Sequence, residues 1–84
     1  MSPDDFAFTL TIPADARFVA VARDLTLQAA TYAQLPKADG AALADRVAAS
    51  AERSVGAGAD CTLTFERANG SLTVAVDGET IRHP

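Results

Sequence analysis

The sequence predicts an α+β domain: a two-layer sandwich whose small, three-stranded, mainly antiparallel sheet carries two helices on one face, in the order strand, helix, helix, strand, strand. Three observations predict it. Period-two alternation marks both ends of the chain, apolar residues three and four apart fill the middle, and glycine or proline punctuates the junctions. One-faced strands and striped helices must bury those faces against each other, and one sheet beneath two helices is the economical solution.

The first strand is "FAFTLTI", residues 6–12, where Phe6, Phe8, Leu10 and Ile12 alternate with Ala7, Thr9 and Thr11. That spacing puts the large apolar side chains on the core face and the threonines on the other. Pro13 ends the strand, and Asp15 stands where a carboxylate stabilises the first N–H groups of a helix. The first helix is predicted over residues 15–34, with Phe18, Ala22, Leu25, Ala29 and Tyr32 as its core stripe and Val21 and Gln28 flanking it.

"LPKADG" connects the helices: Pro36 disfavours helix at Leu35, and Asp39 can cap the second helix. That helix is predicted over residues 40–55. Its stripe of Leu43, Val47, Ala51 with Ser54, and Val55 is narrow, and alanines at 41, 42, 44, 48, 49 and 51 allow close packing. "GAGAD" then breaks the helix, because Gly56 and Gly58 supply the left-handed conformation that helix ends use.

The clearest local signal is "CTLTFERANGSLTVAVDG". Cys61, Leu63 and Phe65 alternate with Thr62, Thr64 and Glu66; Leu72, Val74 and Val76 alternate with Ser71, Thr73 and Ala75. Asn69-Gly70 between them suits a type I′ turn, so the segment reads as a β-hairpin with one buried face.

The 84 residues make a single domain, 1–84, near the small end of what folds alone; about 60% of the unfolded chain's surface is buried at this size. Forty-nine per cent apolar residues with 21% charged is a globular composition. The net charge is −4, and Arg17, Arg23, Lys37, Arg46, Arg53, Arg67 and Arg82 are scattered. Phosphate-backbone binding needs a concentrated basic footprint, so a protein partner is expected rather than nucleic acid. With no signal-peptide pattern and no run of about 18 apolar residues, no membrane partner is expected and the chain is expected to be cytoplasmic.

The chemistry-bearing inventory is thin. There is no P-loop, GxGxxG, HExxH or CxxC. His83 is next to the last residue, a poor place for a positioned base. Cys61 alternates inward on a strand and reads as a buried apolar thiol, while Asp4 and Asp5 precede the first strand as a solvated end. No catalytic residue and no metal site is expected, and one cysteine cannot form an internal disulfide.

The strand, helix, helix, hairpin order and the opening "TLTIPADARFVAVARDLTLQAA", residues 9 to 30, resemble the anti-sigma-factor serine kinases, the switch-protein branch of the GHKL (histidine-kinase-like) ATPases. Domains of that family begin with a segment like "lxlPA" and a helix like "xxVxxARxxxxxxA". The resemblance covers roughly residues 8 to 77, the front half of a typical family domain. It implies a minimal, truncated and degenerate histidine-kinase-like ATPase fold.

The family's second helix reads like "lxxavsEaxtNaxxHa", its acid serving as general base and its asparagine holding Mg²⁺ and phosphate. Laid on "LADRVAASAERSVGAG", the ungapped register puts Ala49 at the acid position, Arg53 at the asparagine position and Ala57 at the histidine position. Each departure removes function; at position 53 a guanidinium offers only donors and repels the cation. The family then continues "vxvxDxGxG", where this chain has "LTVAVDGETIRHP", with Asp77-Gly78 one place early. A lone Asp-Gly after a strand is by itself a turn signal. As implied by the resemblance, Arg53, Asp77 and Gly78 would form a relic nucleotide pocket, and no ATP lid is expected.

Three functional readings are open at this point. The leading one is a non-catalytic regulatory or protein-binding module without ATP hydrolysis, kinase activity or cofactor, for which the resemblance implies a bacterial partner-switching role with a sigma factor or its antagonist as partner. The second is a reduced nucleotide-binding protein using Arg53, Asp77 and Gly78. The third is a small homodimeric structural module, with strand 72–76 as a bare edge open to β-augmentation.

Overall fold

In a computed structural model, which describes residues 5–68 and 71–82, the chain forms strand β1 (Phe6–Ile12), a 3₁₀ turn (Ala16–Phe18), helices α1 (Val19–Tyr32) and α2 (Lys37–Gly56), and strands β2 (Cys61–Ala68), β3 (Ser71–Val76) and β4 (Glu79–Arg82). The architecture is α+β, with both helices on one face of a sheet ordered β1-β2-β3-β4 and antiparallel throughout. The sheet has four strands rather than the three predicted. After Val76 the chain takes positive φ at Asp77 (51°) and Gly78 (88°), which suits a two-residue type I′ turn, and returns with Val76 opposite Glu79 and Val74 opposite Ile81. Strand 72–76 is therefore interior, not a bare edge. The edges are β1 and β4.

Register follows burial. Ile12 pairs with Cys61, Leu10 with Leu63 and Phe8 with Phe65, while Leu63 faces Val76 and Phe65 faces Val74. Ile12, Cys61, Leu63, Phe65, Leu72, Val74, Val76 and Ile81 form the buried face. On the opposite face the hydroxyls of Thr9 and Thr64 (3.4 Å) and of Thr11 and Thr62 (3.2 Å) pair across the strands. The predicted burial of the first strand holds for Ile12 alone; Phe6 and Leu10 are half-buried and Phe8 is exposed. An edge strand has a neighbour on one side only, so its outer flank lacks cover. The predicted Asn69-Gly70 turn lies outside the described residues, although the flanking pair Ala68 and Ser71 is in register.

Asp15 caps the 3₁₀ turn by accepting the Arg17 N–H (2.9 Å), and its carboxylate also holds the Arg17 guanidinium. The buried face of α1 is Val19, Ala22, Thr26, Ala29 and Ala30. Of the predicted stripe only Ala22 and Ala29 are buried; Leu25 is half-buried, and Phe18 and Tyr32 are exposed. The cause is the close approach of α1 to α2. A Cβ placed on Gly40 would stand 3.0 Å from the Ala30 Cβ, so small residues occupy the crossing and the large ones are displaced to its flank. The Thr26 hydroxyl, buried there, donates to the Ala22 carbonyl (2.8 Å).

Helix α2 starts earlier than predicted, at Lys37, because the extended Pro36 (ψ 144°) serves as its N-cap and accepts the Gly40 N–H. Asp39 thus lies in the first turn, where its charge suits the helix dipole. Leu43, Val47 and Ala51 are buried as predicted, and α2 packs over β2, β3 and β4. Both helices end in Schellman motifs. Leu35 N–H bonds Ala30 O and Gln34 N–H bonds Thr31 O with Gln34 at φ 63°; Ala59 N–H bonds Ser54 O and Gly58 N–H bonds Val55 O with Gly58 at φ 80°.

Candidate functional site

The last turns of α2 project Ser50, Arg53 and Ser54, residues three and four apart and hence on one side of the helix. The β3–β4 hairpin brings Asp77 and Glu79 to meet them. The geometry is set by the turn, which places Asp77 beside the start of β2, and by the pairing of Glu79 with the inward-facing Val76.

Asp77 is fully engaged with the protein. Its Oδ1 accepts the Thr62 backbone N–H (2.8 Å), its Oδ2 accepts the Ser54 hydroxyl, and its own N–H donates to Thr62 O (2.9 Å). The Ser54 hydrogen bond, and after it the Thr62 N–H, hold the Asp77 carboxyl below the usual carboxylate range. Cys61, buried behind this carboxylate, has its thiol pushed up, first by burial and then by the Asp77 charge. It is a buried packing thiol, as the sequence suggests.

Arg53 is engaged separately. Its Nη2 lies 3.1 Å and 3.3 Å from the two Glu79 carboxylate oxygens and 3.4 Å from the Ser50 hydroxyl, which in turn donates to Glu79 (3.3 Å). Side-chain exposures of 67% for Arg53 and 58% for Glu79 make this a solvent-screened pair. Ser50, by contrast, is buried.

Of the three predicted site residues, Arg53 and Asp77 therefore belong to one polar cluster at the C-terminal end of α2. Gly78 adjoins it as the second turn residue. A Cβ on Gly78 would meet nothing within 4 Å, so the glycine answers to its φ of 88° rather than to a close approach by another protein group. The helix group that reaches Asp77 is Ser54, not Arg53. Sequence reasoning missed Ser50, Ser54 and Glu79 as members of this cluster; the i, i+4 serines on a helix ending opposite an Asp-Gly turn are the signal that was available.

Ala49, Arg53 and Ala57, four residues apart, lie along one strip of α2 and its C-cap, with Arg53 and Ala57 exposed. Among the described residues no group of three or more His, Cys, Asp or Glu side chains could hold a metal ion, and no helix is long and apolar enough to cross a membrane. Asp5 is half-buried with its carboxylate 3.9 Å from Arg67, rather than a solvated end. Asp4 and His83 lie outside the described residues.

A second feature lies at the other side of the molecule. Phe6 and Phe8 of β1 and Leu25, Gln28, Ala29 and Tyr32 of α1 line an open, largely apolar groove of about 330 Å³. The Phe6 and Tyr32 rings meet edge-on at 5.4 Å, and Phe8 stacks on Phe65 at 4.8 Å. No family model, curated protein or solved structure matches the chain.

Proposed function

We propose that the chain is a non-catalytic regulatory module that binds another protein, related to the anti-sigma-factor kinases and acting in the cytoplasm on a sigma factor or its antagonist. The observation carrying this reading is the strip Ala49, Arg53, Ala57. In an ATPase of that kind it would need an acid and an Mg²⁺ ligand, whereas here it offers two methyl groups and a guanidinium already held by Glu79. A permanent cation with donors only neither coordinates Mg²⁺ nor accepts a proton from water. Isothermal titration with Mg²⁺-ATP tests this: no binding is expected at millimolar nucleotide, and a micromolar dissociation constant would sink the inert reading.

The Ser54–Asp77 contact favours a second reading, a reduced nucleotide pocket, because it brings a carboxylate and the Arg53 guanidinium to the same end of α2. In that case a nucleotide must displace Ser54 from Asp77, and Asp77→Ala must abolish any binding seen. Binding that survives Asp77→Ala would remove this reading.

A further inference from the structure

The two sheet edges are built differently. β4 is only four residues long and begins with the charged Glu79, a short form that discourages pairing with another chain. β1 is seven residues long, has no charge between Phe6 and Ile12, and has no further strand paired on its outer flank among the described residues. Beside it, α1 exposes what the crossing with α2 displaced. Phe18, at the end of the 3₁₀ turn, and Val21, Leu25, Gln28 and Tyr32 of α1 recur at intervals of three, four, three and four, the spacing of a helix-pairing seam. Phe8 (41%), Phe18 (36%), Val21 (40%) and Tyr32 (65%) are the large exposed apolar side chains of the described residues.

These two layers share a midpoint. Tyr32, at the end of α1, meets Phe6, at the start of β1, and Leu25 and Phe8 further along line the same groove, so the two elements run in opposite directions. The centre of the helix stripe is Leu25, about 10 Å along the axis from Tyr32 at 1.5 Å per residue. The centre of the strand is Thr9, about 10 Å from Phe6 at 3.3 Å per residue. A single two-fold axis perpendicular to the sheet can therefore pass beside Thr9 and Leu25 together. It would pair β1 with β1 antiparallel and α1 with α1 antiparallel in the same operation. A foreign strand has no reason to satisfy both layers about one point, whereas a second copy does so automatically.

We infer that two copies of this chain associate through the β1 edge and the Phe18–Val21–Leu25–Tyr32 side of α1, forming a continuous eight-stranded sheet with the apolar groove closed at its centre. The strand edge presented has no charged residue between Phe6 and Ile12, so the strand layer brings no like charges together. A strand about 23 Å long with a helix layer about 10 Å above it buries on the order of 1,000 Å² for the pair, the floor for a specific interface. Arg53 and Asp77 play no part in this interface, which stands or falls separately from the partner-binding reading.

Sedimentation equilibrium of the full chain tests it. A dimer is expected, with dissociation in the micromolar range. Thr9 is exposed on the outer face, so Thr9→Asp leaves the core intact while setting two carboxylates about 5 Å apart across the axis. That variant should raise the dissociation constant at least 100-fold with an unchanged circular dichroism spectrum. Mixing it with Thr9→Lys should restore dimers as mixed pairs. Val21→Lys probes the helix layer and should also give monomers. A wild-type chain that stays monomeric at about 200 μM, or a folded Thr9→Asp chain that dimerises like wild type, overturns the inference.

Discussion

Ser54 at the end of α2 donates its hydroxyl to Asp77 in the β3–β4 turn, and Asp77 uses its other oxygen on the Thr62 N–H of β2. One carboxylate thus ties a helix end, a hairpin turn and a neighbouring strand. Ser54→Ala is expected to cost about 1 kcal/mol, the worth of one hydrogen bond to a charged but partly solvated acceptor. Urea denaturation measures it, and an unchanged midpoint would show that Ser54 contributes nothing to this tie.

The same carboxylate predicts a pH signature. Its folded-state pKa lies below the unfolded value, so its contribution is fully present above the unfolded pKa and is lost as pH falls through the folded one. Asp77→Asn keeps a residue that tolerates the left-handed φ of 51° but cannot titrate. The melting-temperature gap between wild type and this variant should be constant from pH 7 to about 5 and shrink below about pH 4. A gap that widens on acidification would reverse the assignment.

Gly40 sits inside α2 against Ala30. Gly40→Ala gains about 1 kcal/mol of helix propensity on an isolated helix. Here the added methyl meets a Cβ at 3.0 Å on a neighbouring helix, and overpacking of that kind costs about 1–3 kcal/mol. Net destabilisation of about 1 kcal/mol is expected by denaturant unfolding; a stabilised variant would mean that the crossing opens easily.

Gln34 holds the left-handed position at the end of α1, a conformation that costs a side-chain-bearing residue about 1–2 kcal/mol. Gln34→Gly should raise stability by about 1 kcal/mol, read as an increase in melting temperature of a few degrees.

Arg53 and Glu79 should matter little to the fold. Both are largely exposed, and such pairs are worth about 0–1 kcal/mol. Arg53→Ala is expected to shift the urea midpoint by less than Ser54→Ala, with the remaining difference vanishing in about 0.5 M salt. A larger, salt-independent loss would make Arg53 a structural residue.

The strands and the second helix were legible because their burial patterns are strong and local: Cys61, Leu63 and Phe65 against Leu72, Val74 and Val76, then Leu43, Val47 and Ala51. β4 was not, since "ETIR" has one inward hydrophobe, Ile81, beside two charges, and the Asp-Gly turn reads equally well as a chain exit. The facing of α1 was not, because two adjacent stripes share the helical period. The Gly40–Ala30 approach decides between them, and that is a fact of the assembled fold. At the candidate site, Asp77-Gly78 was readable as a turn. Its partner Ser54 was not, because the pairing depends on how far α2 runs before Gly58 stops it.

The hydroxyl ladder from Thr9 to Thr64 and Thr11 to Thr62 joins positions 55 and 51 residues apart in sequence. β2, β3 and β4 follow one another directly in the chain, whereas β1 is separated from its partner β2 by the two-helix segment. Loop closure of that length must precede any contact that rewards it. β1 is thus the edge strand whose pairing carries the largest loop-closure cost in the sheet. In the single chain, below the concentration at which copies pair, amide exchange should find it among the earliest structured segments to open.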